Sequence, residues 1–295
     1  MLDNLYTDLT RPIIEAKMQF ENPYVTGPTG LGMWIAYASV FGGHDRAIEK
    51  LESCGATWVA PRAGQGKFRD PQWKPRDSKL FIAKYHDAGI KVFPWLYDFP
   101  NSLKEQIDMY KSLIDEGADG VIIDAEEPWE KIDDAEQRAE DYVRNIYQAI
   151  GEDAYIADAP WPYCNWHGKF PHRGFALGGV KARHIQLYWT EINNAGEKKN
   201  TENSAAHWSK FHALNPDCIV PVQPIGITYG NDLKGTTRKP PGKLTHDDLS
   251  NFVRNSKHKD AFSMYSLEQM DKDEARVIKA ALALPANRPI YSFGD

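Results

Sequence analysis

A chain of 295 residues with 42% hydrophobic content can bury one large core, and single α/β barrels commonly reach this size. A net charge of −6 and the lack of any Lys/Arg run longer than a pair argue against a nucleic-acid partner. No stretch approaches the ~18 apolar residues of a membrane-spanning helix, so no membrane insertion is expected.

Residues 1–20 have neither an apolar core nor a small-residue cleavage site, so no secretory signal is expected. Cys54, Cys164 and Cys218 form no metal-type pair and leave one over, which favours a reducing compartment. The expected setting is cytoplasmic, or released or virion-associated if the chain is of phage origin. Nine tryptophans suit a sugar-binding cleft, although tryptophan also serves core packing.

Residues 1–31 show little periodicity and read as an N-terminal arm packed on a barrel formed by 32–295. A regular alternation then begins. Strand 33–38 precedes a helix over 44–54 that ends at Gly55, and strand 57–61 leads through a Gly/Arg/Lys-rich loop to a helix over 78–88. Strand 91–96 is followed by a helix over 102–116, and three times a helix stops at glycine just before a strand. Strand 120–125 comes fourth, with a charged helix over 133–150 after it. Strand 154–158 opens onto an irregular segment, 159–182, with no convincing helix. The remaining strands are 184–189, 218–223 and 261–265, with helices over 204–214, from about 245, and over 272–284.

Eight strands alternating with helices predict an α/β fold, a single (β/α)8 TIM barrel. The competing doubly wound sheet would want a Gly-rich phosphate loop after the first strand, and none is present. No cofactor is expected. In a barrel, chemistry sits where strands end, and there the fourth strand carries Asp124, Glu126 and Glu127. Side chains alternate, so Ile122, Asp124 and Glu126 share one face while Glu127 points the other way. Two carboxyls on one face can do acid–base chemistry, hold a metal or bind a polar ligand.

The run Asp119-Gly120-Val121-Ile122-Ile123-Asp124-Ala125-Glu126 resembles the fourth-strand motif of family-18 glycoside hydrolases, the chitinases and endo-N-acetylglucosaminidases, roughly D-G-x-D-x-D-x-E. Gln186-Leu187-Tyr188 is similar to the family's Q-x-Y segment, and Ala159-Pro160 stands where an Ala-Pro pair is frequent. The chain departs from the pattern at Ile122, at 94–98 in place of S-x-G-G, and at Tyr265 in place of a substrate-stacking tryptophan. Family-25 lysozymes are a second resemblance through D-x-E after apolar residues, but they expect a first-strand aspartate that 33–38 lacks.

The first resemblance implies a glycosidase for β-1,4-linked N-acetylated glycans, with Glu126 as acid–base, Asp124 orienting the acetamido nitrogen and Tyr188 bonding its carbonyl. A catalytically silent carbohydrate-binding or structural barrel is the alternative. Gln186, Trp34, Trp95, Trp161, Asp158 and Tyr265 are the expected substrate contacts. Arg62 and Lys67 read as solvated loop residues. His167 and His172 lack metal-ligand spacing, so no metal is expected.

Overall fold

The computed structural model describes residues 27–37, 40, 43–193, 195–229, 244–287 and 293. Eight short stretches, rich in apolar side chains, become the staves of a closed parallel barrel. They are β1 (Gly30–Ile35), β2 (Trp58–Gln65), a third stave split into β4 (Lys91–Val92) and β5 (Trp95–Asp98), β6 (Val121–Ala125), β7 (Ile156–Asp158), β8 (Ala182–Gln186), β9 (Val222–Ile227) and β10 (Ala261–Tyr265). The small strand β3 (Phe68–Arg69) hairpins back onto β2. Each stave pairs in parallel with its sequence neighbours, and β1 closes the ring by pairing with both β10 and β2. The break in the third stave falls at Pro94, which has no N–H to give a ladder.

The helices are α1 (His44–Cys54), α2 (Pro75–Asp87), α3 (Leu103–Asp115), α4 (Ala135–Ile150), α5 (His172–Gly178), α6 (Trp189–Ile192), α7 (Gly196–Leu214), α8 (His246–Ser256) and α9 (Lys272–Ala283). Outward-facing stave residues such as Leu96, Val121, Ile123 and Met264 pack with Leu51, Leu113, Val143 and Ile278 of these helices in one continuous core. Inside the ring, Trp58, Phe93, Tyr155 and Ile122 fill a second cluster. Gly32 makes room for it, since a Cβ there would lie 2.0 Å from the Trp58 ring. No helix among the described residues is long and apolar enough to cross a membrane.

Several strands sit off their expected places: β1 starts at Gly30, β2 runs on to Gln65, β7 starts at Ile156, β8 ends at Gln186 and β9 starts at Val222. At the seventh stave, the apolar run 218–221 belongs partly to a 3-10 turn, Pro216–Cys218, and leaves Ile219 half exposed. Apolar content marked the neighbourhood; pairing with β8 and β10 set the register. Residues 1–26 of the expected arm lie outside the described residues, and Gly30 and Leu31 belong to β1.

Two helical stretches depart from the sequence reading for a physical reason. The segment 159–182 does contain a helix, α5, and its Gly174 and Gly178 let it lie directly on α4. A Cβ at Gly174 would stand 2.1 Å from the Glu136 carbonyl oxygen. Glycines that weaken helix propensity are here what the packing requires. The start of α7 buries Glu197, Asn200 and Thr201, so its first two turns carry no apolar period to detect.

Candidate active site

The alternation of β6 decides which acids meet. Val121, Ile123 and Ala125 face the helices and Ile122 faces the ring interior, so Asp124 continues inward and Glu126 follows it at the mouth. Trp95 and Tyr97 of β5, Gln186 of β8 and Tyr265 of β10 occupy the corresponding inward positions of their own staves. Glu127 turns to solvent, with 65% of its side chain exposed, and pairs with Lys131 at 2.9 Å.

One amide ties the centre together. Gln186 Nε2, with two hydrogens to give, lies within hydrogen-bonding distance of Asp124 Oδ1 at 3.0 Å, Glu126 Oε1 at 3.3 Å and the Ala159 carbonyl at 2.8 Å. On the other side, the Tyr97 hydroxyl donates to Glu126 Oε2 at 3.2 Å. Asp124, Glu126 and Gln186 border a cleft of about 520 Å³. Trp34 and Trp95 lie against each other at 5.7 Å, and Tyr188 stacks on Tyr265 at 5.4 Å. Trp161 and His167 form a near-parallel pair at 3.6 Å on the far wall, where Glu130 bonds His167 Nδ1 at 2.5 Å. A mouth lined by aromatic faces beside paired carboxyls can hold a sugar ring and move a proton at its edge.

Burial pushes the Asp124 carboxyl well above the ordinary aspartate range, and the neighbouring Glu126 and Asp98 carboxyls add to the effect. Glu126 is also raised by burial, but bonds from Gln186 and Tyr97 oppose the shift. The Tyr188 hydroxyl is pushed far up, mainly by burial, and so stays neutral and able to donate.

The structure therefore brings Glu126, Asp124, Tyr188, Gln186, Trp34, Trp95, Trp161 and Tyr265 around one cleft. Asp158 is corrected. It is fully buried on the outer face of β7, 3.7 Å from Arg183, whose guanidinium lies over the Trp208 ring at 5.1 Å. Its strand neighbours Ala157 and Ala159 take the interior, so alternation sends Asp158 into the helix layer. His172 is buried beside Arg183, away from the cleft. Among the described residues no group of three or more His, Cys, Asp or Glu could hold a metal ion. Arg62 pairs with Asp70 at 3.0 Å and lies over Tyr37, and Lys67 lies over the Phe68 ring.

Sequence reasoning missed Tyr97, Glu191 and Tyr229. For Tyr97 the signal was present, because it stands two residues beyond Trp95 on the same face of the same stave. Glu191 accepts a hydrogen bond from Tyr229, joining α6 to the segment after β9 at the cleft rim, a pairing no local pattern announces.

A closed eight-stave parallel barrel with its acidic pair at the end of the fourth stave has a family-18 glycoside hydrolase-like fold. Similar solved structures include a chitinase from Chromobacterium violaceum ATCC 12472, with 10% identity, 87% of this chain and 99% of that one covered, and a TM-score of 0.63. The Bacillus cereus spore cortex-lytic enzyme SleL gives 8% identity over 88% of this chain and 76% of that one, with a TM-score of 0.60. A family-18 N-acetylglucosaminidase from Paenibacillus barengoltzii gives 8% identity over 86% and 100%, with a TM-score of 0.56. At such identities the likeness is one of fold. No protein-family model matches the sequence, and no curated protein matches it.

Proposed function

We propose that the protein is a retaining glycoside hydrolase of β-1,4-linked N-acetylated glycans of the chitin or peptidoglycan kind. The observation that carries this reading is the Gln186 amide shared between Asp124 and Glu126 at the mouth of an aromatic cleft. The barrels it resembles in fold are a chitinase, a spore cortex-lytic enzyme and an N-acetylglucosaminidase, which supports the same substrate class.

In this reading Glu126, protonated, gives its proton to the glycosidic oxygen as the bond to the anomeric carbon breaks. The acetamido carbonyl oxygen of the same sugar attacks that carbon and closes a five-membered ring, so no protein carboxylate serves as nucleophile. Asp124 takes the acetamido N–H, and the neutral Tyr188 hydroxyl donates to the acetamido carbonyl oxygen. The leaving sugar departs with the proton. Glu126, now a carboxylate, removes a proton from water while the water oxygen attacks the anomeric carbon and reopens the ring with retained configuration. Trp34, Trp95, Trp161 and Tyr265 offer faces for pyranose C–H surfaces.

One observation favours a second reading, a carbohydrate-binding barrel without turnover. Ile122, fully buried inside the ring, leaves Asp124 without a carboxyl partner one step deeper. A family-25-type muramidase is less well supported, since β1 carries no acid. Incubation with chitin oligomers and with purified peptidoglycan, followed by assay of reducing ends and of product anomer, separates these. Release of the β-anomer supports the hydrolase; release of the α-anomer contradicts retention; binding without release leaves the silent barrel.

A further inference from the structure

Tyr97 stands on the inner face of β5, two residues beyond Trp95, in register with Asp124 across the β5–β6 ladder. Its ring packs edge-on to Phe99 at 5.1 Å, and its hydroxyl reaches Glu126 Oε2. Gln186 serves both carboxyls with one nitrogen, whereas the Tyr97 hydroxyl serves Glu126 alone. Two nearby buried carboxyls cannot both ionise cheaply, so a donor given to only one of them sets how readily that one gives up its proton.

We propose that Tyr97 is a positioning residue for Glu126, and that its hydroxyl makes the two neighbouring carboxyls unequal. It holds the Glu126 oxygens in a fixed plane between β5 and β8 and lets the protonated Glu126 give up its proton more readily than burial alone would allow. The proposal rests on the reading of Glu126 as the acid–base group. The titratable groups around Glu126 are Asp124 and Glu127 of its own segment, His167 from the loop after β7 and Glu191 of α6 on the same cleft. Glu127 is solvent-exposed, and of the two neutral donors to Glu126 only Tyr97 is not shared with Asp124. Bonds from Gln186 and Tyr97 act in the same direction on Glu126, against its burial.

Tyr97→Phe keeps the ring against Phe99 and removes only the hydroxyl, so Glu126 should hold its proton to higher pH. The alkaline limb of the kcat/KM profile, which reports ionisation of the acid, should move up by about half to one pH unit. The pH-optimal kcat should fall by roughly threefold to tenfold, because the carboxyl loses one of its two anchors. Independently of turnover, the carboxyl carbon of Glu126, followed by 13C NMR and assigned by its absence in Glu126→Gln, should titrate at higher pH in Tyr97→Phe. Tyr97→Leu, which also removes the ring, should shift that titration the same way. An unshifted limb together with an unshifted Glu126 titration in both variants would overturn the proposal. A wild type inert on every N-acetylated glycan would remove the hydrolase reading instead, and the NMR titration alone would then decide the role of Tyr97.

Discussion

The Gln186 amide on β8 lies 3.0 Å from the Asp124 carboxylate on β6, two staves away around the ring. This bond closes the inner face of the barrel mouth, and the same nitrogen reaches Glu126. Because β7 ends at Asp158, the stave between them does not block the reach. The acid–base candidate and its neighbour are thus held by a residue that the chain supplies about sixty positions later.

Glu126→Gln keeps the hydrogen-bonding shape and removes the transferable proton. If the protein hydrolyses N-acetylated glycans, turnover should fall by about 10²–10⁴-fold with oligosaccharide binding within a few-fold of wild type. Glu127→Gln, on the solvent side with Lys131, should retain most of the rate. Steady-state kinetics on one chito-oligosaccharide, with binding by calorimetry, checks both. Equal losses in the two variants would contradict the strand phase described above.

Asp158 sits in the helix layer, paired with Arg183. Replacing it with Ala strands a fully buried Arg183, and breaking a buried pair from one side costs about 3–5 kcal/mol. Urea unfolding should therefore show a clear loss of stability. Turnover per folded molecule should stay near wild type, since Asp158 does not border the cleft. A large drop in kcat with unchanged unfolding would return Asp158 to the substrate site.

A third expectation concerns pH and stability. Asp98, the last residue of β5, is fully buried against α3 and α4, where it accepts hydrogen bonds from the hydroxyls of Tyr110 at 2.7 Å and Tyr142 at 2.5 Å. Burial, opposed by those bonds, pushes its carboxyl up to about 7. A carboxyl that titrates higher folded than unfolded, where the value is about 3.9, binds more protons in the folded state. Its contribution to stability is therefore present at low pH and is lost as pH rises from about 4 to about 7. Asp98→Asn cannot ionise, so its stability relative to wild type should climb across that window, by at most about 1.4 kcal/mol per pH unit. Denaturant unfolding at several pH values measures this. Parallel curves for the two proteins would mean that Asp98 ionises as easily folded as unfolded.

The alternation of apolar runs, helix-ending glycines and short connections in the sequence is enough to predict an eight-stave barrel, because strand and helix periods are local properties of neighbouring residues. The phase of the acidic strand end was legible for the same reason: period-two alternation sets Asp124 and Glu126 apart from Glu127. Other features depended on contacts between distant segments. Helix α5 exists because α4 accepts its glycines at close range, against their low propensity. Asp158 went to the helix layer because Ala157 and Ala159 fit the crowded interior and Arg183 waits outside. Tyr97 and Gln186 became the two anchors of Glu126 only when ring closure brought β5 and β8 to either side of β6. Local sequence fixes which way a side chain leaves its strand, while the distance between two side chains on different staves is set by register and closure, and those are decided by packing across the whole ring.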